Sequence, residues 1–143
     1  MVRINIIDPG SLADQHLIAE YNEILMLLGY VRMHPSCKNI PKKYCLGKGH
    51  ILFFKNKLSY LKKRHTDIRK EMVKRGFKPK VAVDLRVFRK ELKHDWKPCK
   101  DDARIIKERL ISKINKKPRF YRYYGKKKCA PDLTALIRKA RIK

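Results

Sequence analysis

The stretch "SLADQHLIAEYNEILMLLGYVRMHP", residues 11–35, decides the fold. Leu17, Tyr21, Ile24 and Leu28 recur at three- and four-residue steps, joined by Ile18 and Leu25. At about 100° per residue they share one helix face, which is predicted to be core. Ser11 followed by Asp14 predicts a capping box with the shorter Asp in place of Glu. Pro35 predicts the stop near His34. On the same wheel His16, Glu20 and Glu23 form a second stripe about a quarter-turn away, a polar and partly acidic ridge.

Working outward, Leu58, Leu61, Ile68 and Met72 predict a second helix over about residues 57–75, closed by Gly76. A third is predicted from a cap at Asp101 or Asp102, with Ala103, Ile106, Leu110 and Ile114 inward, to Lys117-Pro118. "PSCKNIPKKYCLGKGH" (35–50) reads as loop. "VAVDLRVF" (81–88) alternates like a short strand, although "LRVFRKEL" fits a helical turn or two equally. The expected architecture is all-α: a single compact domain of three main helices with long irregular connections, residues 1–126, plus a basic C-terminal extension, 127–143. In that extension Leu133, Leu136, Ile137 and Ala140 could form one face of a short basic helix, read as a loosely docked tail.

The charge is lopsided. The net charge is +25, yet residues 1–24 carry one Arg against two Asp and two Glu, leaving +28 on the other 119 residues. An apolar fraction of 43% is too high for a disordered basic tail, so the cations belong to a folded surface. That points to a polyanion, since clustered Lys and Arg release counterions from nucleic acid. Charge alone does not separate DNA from RNA, and a solvated basic surface is the plainer alternative.

Other classes fall away. The run "INII" is interrupted by Asp8-Pro9-Gly10, unlike a secretory signal, and "ILMLLGYV" is too short to span a membrane. The expected setting is intracellular, and not secreted. Cys37, Cys45, Cys99 and Cys129 form no C-x-x-C pair and read as reduced thiols. The spacing of His34, Cys37, Cys45 and His50 is irregular, so no metal site is expected. There is no Walker loop and no nucleophile elbow.

"KPRFYRYYGKKK" (117–128) interleaves Phe120, Tyr121, Tyr123 and Tyr124 with cations. Such rings can stack on exposed bases while Arg119, Arg122 and Lys126 hold phosphates, or they can pack the loop onto the helices. About half of the rings are expected in the core. Glu23, on the ridge, is a candidate acid/base or a stabiliser of a transient cation.

The blocks "RIN", "LADQHLIAEYNEI", "LGKGHILFF", "YLKKR", "KRGF" and "KKPRFYRYYGK" occur in the order in which the phage and algal-virus pyrimidine-dimer DNA glycosylase/AP lyases have them. The chain resembles that family from residue 2 to about 126, most weakly across 35–44 and 77–98. The resemblance implies that the α-amine of Val2, exposed by removal of Met1, is the nucleophile. It attacks C1′ of the damaged nucleotide, expels the base and forms an imine that ends in strand cleavage by β-elimination. An α-amine titrates near 8, so a useful fraction is free at neutral pH. Val2 stands where the best-known members have Thr, and its small side chain favours trimming of Met1. Glu23 matches the family's essential carboxylate, which accounts for an acidic first helix in so basic a chain.

By the same resemblance Arg3 and His16 belong to the lesion's backbone and the active site, and Arg109 and Lys113 contact phosphates. The aromatic loop and first helix would wedge kinked DNA with a flipped base. Asn22 and Met26 depart from the pattern, replacing Arg in known members, which bears on lesion preference. The expected protein is a monomer acting on damaged double-stranded DNA, with no cofactor and no membrane partner. The alternatives are the same chemistry on other lesions or abasic sites only, and a catalytically silent DNA-binding protein.

Overall fold

Helix α1 spans Asp14–Met33 and buries Leu17, Tyr21, Ile24 and Leu28 as its periodicity predicts, with Leu27 and Val31 added and Ile18 and Leu25 only partly buried. The computed structural model describes residues 3–143. The first two residues, Val2 among them, lie outside the described residues. After α1 come α2 (Gly49–Phe54), α3 (Leu58–Lys74), α4 (Lys100–Lys116), the two-residue strands β1 (Arg122–Tyr123) and β2 (Lys126–Lys127), and α5 (Ala130–Lys139). The fold is all-α, with α1, α3 and α4 as the three long helices. Helix α1 packs on α3, and α4 on α5.

Local chemistry explains two of the element boundaries directly. Helix α3 ends in a Schellman turn: Gly76 takes φ +91°, Phe77 N–H donates to Met72 O (2.9 Å) and Gly76 N–H to Val73 O (3.0 Å). Cys99 caps α4, with the Asp102 carboxylate accepting from Cys99 N–H (2.9 Å), so Asp102 serves from inside the first turn rather than as the cap itself. Ile106, Leu110 and Ile114 of α4 are fully buried, each contributing about 1.5–3 kcal/mol of transfer free energy.

Three expectations need correction. The Ser11–Asp14 capping box does not form; Ala13 is the cap residue and Asp14 is engaged elsewhere. "VAVDLRVF" forms no strand, and the helical turn that "LRVFRKEL" allows is a single 3-10 turn over Lys90–Leu92. Val83 and Leu85 are buried and Asp84 and Arg86 exposed, so the alternation is one of burial alone, and the segment is tied to α1 where Val81 N–H donates to Tyr21 Oη (2.9 Å). Residues 127–143 are not loosely docked. Leu133 and Ile137 are 1% and 0% exposed, and the Lys107 ammonium binds the Ala140 carbonyl (2.8 Å).

Candidate active site

The site begins with the segment 3–8, which runs through the core instead of over it. Ile4, Ile6 and Ile7 are all fully buried. An extended segment buried this deeply needs partners for its backbone. Ile4 N–H donates to His50 Nε2 (2.9 Å), and Ile4 O accepts from Tyr44 Oη (3.0 Å). His50 Nδ1 bonds the Cys45 carbonyl (2.8 Å), which requires that nitrogen to carry the proton and leaves Nε2 as an acceptor. Burial holds the His50 pKa down to about 4, with Arg3 and Arg109 adding to the effect and the Cys45 bond opposing it, so the clamp on Ile4 persists at neutral pH.

Tyr44 is itself held by rings. Trp96 stacks on it at 5.9 Å, and Phe53 and Phe54 meet it edge-on at 5.9 and 6.0 Å. Neither Tyr44 nor His50 was marked by the sequence as a positioning residue. "LGKGHILFF" pointed to the region but not to the role.

Below this clamp, Glu20 leaves the acidic ridge. It is fully buried, accepting from Arg64 Nε (2.6 Å), Arg64 Nη2 (2.9 Å) and Asn5 Nδ2 (2.9 Å), while Arg64 Nη1 also donates to the Ile7 carbonyl. The expected stripe of three therefore divides: Glu20 anchors segment 3–8 from the inside, and His16 and Glu23 stay partly buried. Glu23 is half-buried. Burial raises its pKa above 4.5 and Arg3 pulls it back.

A cavity of about 220 Å³ opens beside this segment, lined by Arg3, Asn5, His16, Arg109, Lys113 and Tyr121 among others. Five of the predicted residues thus meet at one place. The His16 ring lies 4.6 Å from that of Tyr121. Burial first, and then Arg109 and Lys113, lower the His16 pKa to about 4, so it enters the cavity as a neutral imidazole beside three cationic side chains. Asn22 is exposed on α1 next to Glu23, and Met26 is 69% exposed one turn further. A cavity of about 600 Å³ between α4 and residues 138–142 includes none of the predicted site residues.

The rest of the aromatic loop is built differently. β1 and β2 pair around Tyr124-Gly125, both at positive φ (+54° and +77°), as a type I′ hairpin requires. Asp14 explains why Tyr124 tolerates this: its carboxylate accepts from Tyr124 N–H (3.1 Å), Gly125 N–H (2.8 Å) and Arg75 Nη1 (2.9 Å). Gln15 adds two more ties, to Phe120 O (2.9 Å) and from Arg122 N–H (3.0 Å). Tyr123 and Tyr124 lie over the Arg75 guanidinium at 4.6 and 4.8 Å, and their hydroxyls bond Gly10 O and Glu71. These two rings therefore face protein groups outside the cavity. Arg119, Phe120, Arg122 and Lys126 are exposed to solvent.

Among the described residues no three His, Cys, Asp or Glu side chains gather as metal ligands, and no helix is long and apolar enough to cross a membrane. The buried segment 3–8, a half-buried carboxylate and a cationic cavity walled by Phe120 and Tyr121 thus lie close together in the chain's fold. The family model described as pyrimidine dimer DNA glycosylase matches residues 1–85. The chain belongs to that family. Pyrimidine dimer DNA glycosylases act in repair of UV damage, so this is a DNA-repair enzyme with a DNA substrate. The matched residues carry α1 to α3, Glu23, Tyr44, His50 and Arg64; Arg109, Lys113 and the aromatic loop lie beyond them.

Proposed function

We propose that this glycosylase is also an AP lyase, working through a covalent imine. With Met1 removed, the Val2 α-amine attacks C1′ and the N-glycosidic bond breaks, its electron pair leaving with the base as that base takes a proton. The sugar ring then opens and C1′ becomes an iminium. Loss of a proton from C2′ expels the 3′-phosphate by β-elimination, which nicks the strand. An α-amine titrates near 8, so a useful fraction is free to attack at neutral pH. Glu23 stabilises the cation at C1′ and moves the C2′ proton. The amine and one carboxylate supply the chemistry, with no cofactor required.

The observation that carries this reading is the fixing of Ile4 by His50 and Tyr44, two residues after the proposed nucleophile, in a segment whose Arg3 acts electrostatically on Glu23. A protein that only bound DNA would need neither the rigid segment nor a carboxylate with a raised pKa. Arg3, His16, Arg109, Lys113 and Tyr121 would hold the lesion's backbone and sugar in the cavity. Arg119, Arg122 and Lys126 would contact flanking phosphates, with Tyr123 and Tyr124 fixing the hairpin that presents them. The substrate would be double-stranded DNA met by a monomer, and residues 1–126 the catalytic domain completed by 127–143.

The exposed pair Asn22 and Met26 beside Glu23 favours one second reading, a shifted lesion range with the same chemistry. The deciding experiment is borohydride trapping of Met-trimmed protein on duplexes bearing one thymine dimer, one abasic site or no damage. An adduct on the dimer, with strand cleavage lost in Glu23→Gln, is expected. Trapping on the abasic duplex alone would move the lesion elsewhere and implicate Asn22. No adduct on any duplex despite tight binding would end the imine mechanism.

A further inference from the structure

Residues 140–143 lie antiparallel beside residues 6–8. Lys143 N–H donates to Ile6 O (2.9 Å), Asp8 N–H donates to Arg141 O (2.8 Å), and Ile7 pairs with Ile142 between these two bonds. The contact falls on a strained point of the chain. Ile6 has φ +44°, a left-handed conformation that β-branched residues avoid, and its side chain is fully buried. Such a conformation persists only where its surroundings over-determine it.

The hold on residues 140–143 is also specific. Lys107 of α4 binds the carbonyls of Arg138 (3.2 Å) and Ala140 (2.8 Å), which turns the chain out of α5 towards Ile6. Leu133 and Ile137 fix α5 in the core. Two further grips act on the same segment, on either side of Ile6: Arg64 on the Ile7 carbonyl and the His50–Tyr44 clamp on Ile4. The bend at Ile6 sits between them and sets the direction in which the chain leaves towards Arg3.

We propose that residues 140–143 are a positioning strap for the reaction: by pairing with residues 6–8 they hold the left-handed bend at Ile6, and so aim the segment that carries Arg3 and the α-amine. This rests on the amine mechanism above. The strap acts through backbone groups, so it is separable from any phosphate contacts made by the cations of the same region.

The test compares Lys143→Pro, which removes the N–H that binds Ile6, with Lys143→Ala, which keeps it. A double variant, Arg138→Gln with Lys139→Gln, removes two neighbouring charges and leaves the pairing intact. The readouts are the single-turnover rate of trappable adduct at saturating dimer duplex, the Kd for undamaged duplex across salt, and amide exchange of residues 3–8. In Lys143→Pro the adduct should form several-fold more slowly than in Lys143→Ala, at equal Kd and with faster exchange at residues 4–8. A chain shortened to residue 139 should slow further, about tenfold or more. The charge variant should lose affinity and salt dependence while keeping its rate. Equal rates for the Pro and Ala variants would overturn the strap, and so would faster exchange without a slower adduct. A wild-type chain that forms no adduct on any duplex identifies a failure of the amine chemistry itself, and the strap's role in that reaction falls with it.

Discussion

His50 Nε2 accepts the Ile4 amide at 2.9 Å, and it can do so only as a neutral ring. The opposite edge of the same peptide segment is held by Tyr44, so Ile4 is gripped on both backbone groups. Removing one grip leaves a buried polar group unpaired, which costs about 1–3 kcal/mol. Tyr44→Phe is expected to slow adduct formation about fivefold to tenfold, and His50→Ala more, with DNA affinity nearly unchanged. Single-turnover rates set beside equilibrium binding check this; a change confined to affinity would remove both residues from the positioning role.

The Arg64–Glu20 pair is a separate matter of stability. Both side chains are fully excluded from solvent, and between them they also bind Asn5 Nδ2 and the Ile7 carbonyl. Arg64→Met leaves a buried carboxylate without its cation and is expected to cost about 3–5 kcal/mol. Adding Glu20→Leu should recover only part of this, because Asn5 Nδ2 and the Ile7 carbonyl stay orphaned. Urea midpoints for the two singles and the double give the coupling energy, and additive values would mean that the pair acts independently.

These two cases show what the sequence could reveal. Helices α1, α3 and α4 were legible because their apolar stripes are local patterns, and Gly76 marked the end of α3 for the same reason. Glu23 and His16 were marked as candidates by helical spacing and by resemblance. Glu20 was misplaced on their ridge because the group that claims it, Arg64, lies 44 residues away. Asp14 has the spacing of a capping residue, but the hairpin at Tyr124-Gly125, 110 residues on, occupies its carboxylate. The strap at 140–143 has no local signature, since its meaning lies in the backbone of Ile6.

Asp14 gives the next test. One carboxylate serves two hairpin amides and the Arg75 guanidinium, which itself supports Tyr123 and Tyr124. Asp14→Asn weakens all three bonds and should cost about 1–3 kcal/mol. Amide exchange at Tyr124 and Gly125 should accelerate more than at the centre of α4. Uniform acceleration would assign Asp14 to general stability instead of to the hairpin.

Binding should be strongly dependent on salt, given the net charge of +25. Arg109 and Lys113 line the cavity, and each neutralising change, Arg109→Gln or Lys113→Gln, should lower the slope of log K against log salt by about 1. Lys74→Gln, on α3 and outside that cavity, serves as a comparison. Equal slopes for all four proteins would place the phosphates away from α4.

Acid should unfold this protein through its histidines. His16, His50 and His65 are each held near 4, chiefly by burial, against an ordinary value of 6.5. Between those values the unfolded chain binds protons that the folded chain refuses, so stability rises with pH across the window and is lost as pH falls through it. With three such groups the slope approaches about 4 kcal/mol per pH unit near pH 5. His50 adds a structural consequence, because a proton on Nε2 would set two donors face to face at Ile4. Denaturant midpoints taken from pH 7 to pH 4 should fall steeply. His65→Asn should flatten the fall by about one proton's worth, which is about 1.4 kcal/mol per pH unit. A profile flat across that range would mean that these rings take up protons in the folded state as readily as in the unfolded one.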